Sequence, residues 1–299
     1  MTFTAKPLPG VAIIAVSAIP FATTAVLART LAGIVPSSQV VAIRIFVGLL
    51  GVAALFAFTG TRPDLRRWRL LLVRGFLGGV AVLCYFFAIA NLGVGPATML
   101  NYISPVYAAV FAGVILKERP GLWLYLGLAL ATLGAVLVTA GTGAFALPLR
   151  PGLGALAGLA SGMFGGASMT GVHALRKDTD AATVFFAFCL VGFLIAAPVS
   201  LDGWVPLEGG TLIRVIGIGV LSFAAQMLFS WGMGFTTASR GSATTQLVPM
   251  ATWILSVVFL SDWPQPLTFV GAVLCLGGVL IGLIPATPAL ERAPLALPP

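Results

Sequence analysis

Residues 104–118 read SPVYAAVFAGVILKE, and residues 248–262 read VPMATWILSVVFLSD. In each stretch an acid, Glu118 or Asp262, follows a proline by thirteen residues, with an apolar run between the two. A shift of 144 residues (262 − 118) superimposes the two stretches. The same ungapped shift pairs identical glycines, serines and prolines elsewhere in the chain. We therefore predict that the chain consists of two copies of one structural unit.

Composition indicates the surroundings of that unit. Of 299 residues, 59% are hydrophobic and 8% are charged, whereas an ordinary soluble domain carries roughly a quarter charged residues. Apolar runs recur along the chain, each long enough to cross about 30 Å of hydrocarbon as a helix. We predict an all-α integral membrane protein with ten transmembrane helices, near 11–28, 39–59, 71–90, 96–115, 121–140, 153–172, 182–200, 211–231, 242–260 and 267–285.

The two copies are predicted to be inverted with respect to each other. A copy of five helices crosses the membrane an odd number of times, so the next copy enters from the opposite side. Connections that are cytoplasmic in the first copy should then lose their basic residues in the second. Arg66 and Arg67 indeed correspond to Gly210 and Thr211. We predict two inverted five-helix repeats followed by a cytoplasmic tail, at 1–144, 145–290 and 291–299.

Charge in the connections predicts the orientation. The net charge of +8 comes mostly from Lys and Arg in short connections, so it is an orientation signal and not an indication of nucleic acid binding. With both termini in the cytoplasm, basic residues are concentrated inside, and a bacterial inner membrane is the simplest host. The basic residues predicted inside are Lys6, Arg62, Arg66, Arg67, Arg69, Arg74, Lys117, Arg119, Arg176, Lys177, Arg240 and Arg292; those predicted outside are Arg29, Arg150 and Arg214.

Each copy also carries a loose series of motifs. In the first copy these are Leu92-Gly93-Val94-Gly95-Pro96-Ala97, Ser104-Pro105 and Leu116-Lys117-Glu118-Arg119, followed by a glycine-rich last span. The chain resembles the EamA family of the drug/metabolite transporter superfamily over nearly its whole length. That resemblance implies a ten-helix fold with a central cavity, and export or exchange of amino acids, nucleobases, sugars and other metabolites. The stretch 74–107 is most similar to a subgroup that includes S-adenosylmethionine carriers. The second copy departs from the usual family pattern, because it has Val248 in place of Ser and Asp262 in place of Glu.

Polar and aromatic residues deep in the spans are the candidates for a substrate site, because inverted repeats place such a site near the midplane. The fourth and ninth spans present related polar faces, and the third and eighth add an aromatic and an amide side chain. The alternative is that these residues hold helices together by packing and hydrogen bonds. The candidates are Asn101, Tyr102, Tyr85, Gln226, Thr245, Gln246 and Trp253.

Prolines, an arginine and two acids in or beside the spans are further candidates for functional or structural roles. Pro105 and Pro249 each remove one helical hydrogen bond, so they are candidate hinges or kinks. Arg44 is the one charge that we assign to a span interior; it either binds a substrate carboxylate or phosphate, or snorkels to the headgroups or contacts a carbonyl. Glu118 and Asp262 precede a proline by two residues, which predicts structural caps for the helices that follow.

These features predict a secondary transporter of small organic metabolites such as amino acids or S-adenosylmethionine-like compounds. It would work by alternating access around a cavity between the repeats. A channel or a membrane sensor is the alternative. An enzyme is disfavoured, because the sequence has one His and no recognisable metal or catalytic constellation. We expect no cofactor, no metal and no nucleic acid partner; the partners are the substrate and lipid, for a monomer or homodimer.

Overall fold

The computed structural model describes residues 7–31, 33–92, 97, 100–118, 121–141, 152–260, 266–282 and 284. These residues form eleven α-helices and no strand, which confirms the all-α prediction. The helices are α1 (Pro7–Arg29), α2 (Ser37–Thr59), α3 (Trp68–Leu92), α4 (Ser104–Ile115), α5 (Leu122–Gly141), α6 (Leu153–Leu175), α7 (Ala181–Ser200), α8 (Gly209–Met233), α9 (Ala238–Thr244), α10 (Leu247–Leu260) and α11 (Pro266–Gly282).

Each predicted span contains a helix, and the ninth contains two, α9 and α10. Large apolar side chains cover the outside of the bundle: Phe58 is 91% exposed and Val114 is 74% exposed, which suits contact with lipid and not with water. The segments long and apolar enough to cross a membrane are Pro9–Arg29, Ser37–Thr59, Leu65–Ala88, Ala181–Ser200, Gly209–Met233 and Ala238–Phe259; shorter apolar helices are Ser104–Ile115, Leu122–Gly134 and Phe269–Gly282. The protein is therefore an integral membrane protein.

The helices pack in pairs that the 144-residue shift relates to one another. The shift carries α1, α2, α3, α4 and α5 approximately onto α6, α7, α8, α10 and α11. Accordingly, α3 packs on α6 as α8 packs on α1, and α3 packs on α7 as α8 packs on α2. In the same way α4 packs on α6 as α10 packs on α1, while α5 and α11 pack on each other. The most extensive helix pairs therefore join the two halves of the chain.

Glycines bring α5 and α11 into close contact. A Cβ atom added to Gly134 would lie 2.5 Å from the carbonyl oxygen of Gly271, and one added to Gly278 would lie 2.6 Å from that of Gly127. No side chain fits at such distances, so the two backbones touch directly, as small residues allow in membrane helices. The shift pairs Gly127 with Gly271 and Gly134 with Gly278, so both helices of this contact use the same two positions.

Polar contacts join the halves at both ends of the bundle. At one end, called the Gln39 end, the amide of Gln39 donates to the Val205 carbonyl (2.7 Å) and accepts from the Val205 N–H (3.0 Å). At the other, called the Glu118 end, Glu118 contacts the start of α9, and Arg67 forms an ion pair with Asp178 (3.1 Å). A substrate site is expected in the space between these two ends.

Candidate functional site

A cavity of about 220 Å³ lies between helices of both halves. Residues from α2, α3, α4, α6, α7 and α8 line it, together with Asn101 just before α4. We call it the Arg44–Arg74 cavity; its lining includes Arg44, Arg74, Tyr85, Asn101, Phe188 and Gln226. A cavity with two guanidinium groups, two amides and aromatic walls can bind a small polar molecule.

Half of the predicted substrate-binding residues line this cavity. They are Arg44, Tyr85, Asn101 and Gln226. The amide nitrogen of Asn101 also donates to the hydroxyl oxygen of Ser161 on α6 (3.2 Å). These residues lie on different helices, and the sequence places each of them well inside an apolar run, where a polar side chain faces the bundle interior.

The other predicted residues lie elsewhere. Gln246 is fully buried, and its amide donates to the Tyr102 carbonyl (3.1 Å) and to the Thr132 hydroxyl (3.0 Å). Thr245 donates its hydroxyl to the Ser242 carbonyl (2.6 Å) within the α9 turn. Trp253 is half-buried on α10 and is absent from the cavity lining. The hydrogen bond from Gln246 to the Tyr102 carbonyl therefore joins the two halves.

The helices of the fourth and ninth spans are interrupted just before their prolines. Tyr102 and Ile103 form a turn ahead of α4, and Thr245 and Gln246 form a turn ahead of α10. Pro105 and Pro249 therefore lie in the first turn of a helix, where no intrahelical N–H bond is lost. Each proline thus follows a short interruption of its helix, and its role as a hinge or kink stays a prediction.

Arg74 is the charged residue of the cavity lining that the predicted site lacks. The charge pattern predicts Arg74 in a cytoplasmic connection, whereas it lies in α3 and is 6% exposed. Its guanidinium carbon lies 4.8 Å from the centroid of the Phe188 ring, and a Cβ atom on Gly78 would collide with its Nη1. One signal was present: Arg74 falls inside the predicted span 71–90, so Arg44 is not the one charge inside a span.

Glu118 is a helix cap, but for a different helix from the one predicted. Its carboxylate accepts from the N–H groups of Ala238 (2.9 Å) and Ser239 (3.2 Å) and from the Ser239 hydroxyl (2.7 Å), all at the start of α9. Lys117, with φ of 55°, turns the chain out of α4 in the left-handed conformation, and Glu118 follows it and contacts α9. The corresponding prediction for Asp262 lies outside the described residues.

Other charged groups at the Glu118 end lie at helix termini. Asp64 accepts from the Arg66 N–H (3.1 Å) at the start of a short 3-10 helix, and the hydrogen bonds from the Arg66 side chain lower the pKa of the Asp64 carboxyl to about 2. Arg176 donates to the Ser230 carbonyl (2.9 Å) at the end of α8, and burial lowers the pKa of its guanidinium. These groups are structural, since backbone carbonyls or neighbouring ions satisfy them.

A second cavity, of about 600 Å³, lies towards the Gln39 end. Residues at the start of α2, the later part of α3 and the end of α7 line it, including Pro36, Ser38, Phe86 and Val199. Neighbouring residues of α2 and α3 line the two cavities. Val41 and Cys84 line the larger cavity, whereas Arg44 and Tyr85 line the Arg44–Arg74 cavity. The larger space is mostly apolar, so the polar groups are concentrated deeper in the bundle.

Known proteins share this sequence and fold. A model of the EamA-like transporter family matches the chain twice, over residues 8–140 and 152–284. The pseudopaline exporter CntI of Pseudomonas aeruginosa is 26% identical over 268 residues, 89% of this chain and 92% of that protein. Human solute carrier family 35 member G1 is 21% identical over 224 residues, 71% of this chain and 61% of that protein.

A "probable terminal-alkyne amino-acid exporter" of Streptantibioticus cattleyicolor is 26% identical over 195 residues, 62% of this chain and 63% of that protein. A crystal structure with 18% sequence identity superimposes with a TM-score of 0.79, covering 92% of this chain and 97% of the other, and so shares the fold. The two family matches together span most of the chain and are themselves offset by 144 residues (152 − 8). The chain belongs to the EamA-like transporter family and is a membrane transporter of small metabolites, not an enzyme.

Proposed function

We propose that the protein is a secondary carrier that exposes the Arg44–Arg74 cavity alternately to the two sides of the membrane. The observation that carries this proposal is the position of the cavity: both halves of a duplicated fold contribute its lining, with Arg44 and Tyr85 from the first and Phe188 and Gln226 from the second. Transporters built from inverted repeats bind substrate between the repeats and rock one against the other.

Ten membrane crossings in two inverted repeats, 1–144 and 145–290, are part of this proposal. The paired packing of helices supports it, because the 144-residue shift relates the contact of α3 with α6 to the contact of α8 with α1. The hydrogen bond from Gln246 to the Tyr102 carbonyl supports it too, since these two positions differ by 144 residues (246 − 102). Two equivalent positions meet when they lie near a two-fold axis.

Both termini are proposed to lie in the cytoplasm of a bacterial cell, with the protein in the inner membrane. Basic residues support this orientation, because Arg67, Arg176 and Arg240 lie at the Glu118 end, whereas Arg29 and Arg214 lie at the Gln39 end. A fluorescent protein fused after Pro299 should fold and fluoresce in a bacterial host, whereas alkaline phosphatase at the same position should stay inactive. The opposite pair of results would reverse the orientation.

The relatives' names agree with small metabolites as cargo, since one is named for pseudopaline and another for an amino acid. We propose small amino acids and related organic metabolites, with S-adenosylmethionine-like compounds as a further group to test. The cavity volume of about 220 Å³ is below the roughly 300–1,000 Å³ of pockets for drug-sized ligands. The cargo is therefore expected to be small.

Counterflow tests the carrier mechanism. Purified protein is reconstituted into liposomes loaded with an unlabelled mixture of amino acids and diluted into a trace of the labelled compounds, and S-adenosylmethionine is run in parallel. A carrier returns loaded to the outer face and accumulates label transiently above the outside concentration, whereas a channel only equilibrates it and a sensor admits none. Protein-free liposomes provide the control. Equilibration without accumulation would replace the carrier by a channel.

A further inference from the structure

The Arg44–Arg74 cavity has an unbalanced charge. Two arginines line it, and the described lining residues include no Asp or Glu. Arg74 is 6% exposed, and its Nε and Nη1 atoms have no hydrogen-bond partner among the described residues. A guanidinium group stays protonated in proteins, and leaving it buried without an opposite charge is costly. The cavity therefore presents a buried cation whose charge no described lining residue balances.

The Arg74 side chain is held towards the cavity and does not snorkel to the membrane surface. The absence of a side chain at Gly78, one turn further along α3, leaves the space that its guanidinium occupies. The ring of Phe188 on α7 lies under the guanidinium carbon at 4.8 Å. The hydroxyl of Ser168 on α6 donates to the Arg74 carbonyl (3.3 Å), which fixes the backbone there. Three helices thus orient one cation in advance of any ligand.

We propose that this cavity binds the carboxylate group of a small organic acid or amino acid through Arg74 and Arg44; this rests on the proposed carrier function and names its substrate class. A guanidinium fork matches a carboxylate with two parallel hydrogen bonds. Two like charges in a low-dielectric site repel, so an anion between them relieves that repulsion as well as the desolvation of each. Organic cations without a carboxylate are excluded for the same reason.

The remaining polar residues fit the rest of such a molecule. Asn101 and Gln226 carry amide oxygens that can accept from the ammonium group of an amino acid, and Tyr85 adds a hydroxyl. Compounds whose net charge is positive, S-adenosylmethionine among them, meet two fixed cations in this cavity. We therefore place zwitterionic amino acids and small carboxylates ahead of S-adenosylmethionine-like compounds.

Matched pairs of acids and amides test the proposal on the unaltered protein. The melting temperature of the detergent-purified protein is measured with the natural amino acids and with small mono- and dicarboxylates, each beside its amide, and also with sodium chloride and inorganic phosphate. We expect a set of acids to raise the melting temperature while their amides do not. The proposal is overturned if amides stabilise as well as acids, if no acid stabilises, or if chloride or phosphate equals the best carboxylate.

Variants then separate a ligand-binding role from a structural one. Arg74→Met and Arg44→Met should each lower the affinity for the stabilising acid at least tenfold, and Arg69→Met, an exposed arginine earlier in α3, should leave it unchanged. Without ligand, Arg74→Met should melt no lower than the parent, because it removes an uncompensated buried charge. If Arg74 merely braced Phe188, the variant would melt lower and still be stabilised by the acid, and the proposal would fail.

Counterflow of the same acid distinguishes this proposal from the carrier function. Stabilisation by an acid that shows no counterflow would keep the carboxylate site and contradict the carrier. Counterflow of neutral or cationic solutes without stabilisation by any acid would keep the carrier and contradict the carboxylate site.

Discussion

Glu118 and Arg74 both carry charges between the halves of the bundle, yet Glu118 is partly buried, Arg74 is buried, and their surroundings differ. Glu118 accepts from two backbone N–H groups and a hydroxyl at the start of α9, where the partial positive charge of a helix N-terminus favours a carboxylate. Arg74 has an aromatic ring beside it, but its Nε and Nη1 atoms have no hydrogen-bond partner among the described residues. A charge with partners within the protein holds the structure together, whereas one without them is available to a ligand.

Glu118→Ala is expected to lower the stability of the protein by about 1 kcal/mol, because it removes the acceptor for the first N–H groups of α9. Thermal unfolding in detergent measures this. Glu208→Ala is the matched control: Glu208 has the same charge and also precedes a helix, α8, but is exposed and makes no cap hydrogen bond. Equal melting temperatures for the two variants would contradict the cap.

The sequence predicts the cavity residues that lie deep in apolar runs, but it does not predict contacts between residues far apart in the chain. Arg44 and Gln226 stand out because a polar side chain inside a span needs a reason. Arg74 lies near the start of its span, where an arginine usually marks the cytoplasmic side, and its burial depends on Phe188 on another helix. Glu118 was assigned to the helix next in the chain, although its partner is 120 residues away (238 − 118).

At the scale of elements, a short stretch of irregular backbone interrupts the fourth span before α4 and the ninth span before α10. Irregular backbone at membrane depth is tolerated where protein buries it, and here Gln246 provides the partner for the Tyr102 carbonyl. The Cys275 thiol on α11 donates in turn to the Gln246 carbonyl (2.8 Å). The spacing of the prolines predicts the repeat. It does not predict the position of the breaks, because a proline favours an interruption without fixing on which side of it the helix ends.

Two neighbouring glycines of α11 should respond in opposite directions to alanine. Gly278→Ala places a Cβ atom 2.6 Å from the Gly127 carbonyl oxygen of α5, so the helices must separate, at a cost of about 1–3 kcal/mol. Gly277→Ala meets nothing within 4 Å and should stabilise the helix by up to about 1 kcal/mol. Melting temperatures in one detergent compare them, and a Gly278→Ala protein as stable as the parent would refute direct backbone contact.

At the scale of the molecule, the two halves touch at both ends, and alternating access requires one end to open at a time. At the Glu118 end the two halves are joined by the hydrogen bonds from Ser239 to Glu118. Under the proposed cycle, Glu118 must release Ser239 before the cavity can open on that side.

Holding the Glu118 end closed should therefore stop transport. In the variant with Glu118→Cys and Ser239→Cys, a short, reducible thiol cross-linker should abolish counterflow, and reduction should restore the rate of that same variant before cross-linking. The two variants that carry only one of these substitutions control for modification alone. A pair within one half at the same end, Thr59→Cys and Thr61→Cys, whose hydroxyls lie 2.7 Å apart, controls for cross-linking as such. Counterflow that persists in the cross-linked Glu118/Ser239 variant would mean that substrate crosses without separation of α9 from the end of α4, and the rocking of one half against the other would have to be replaced by a path that opens elsewhere.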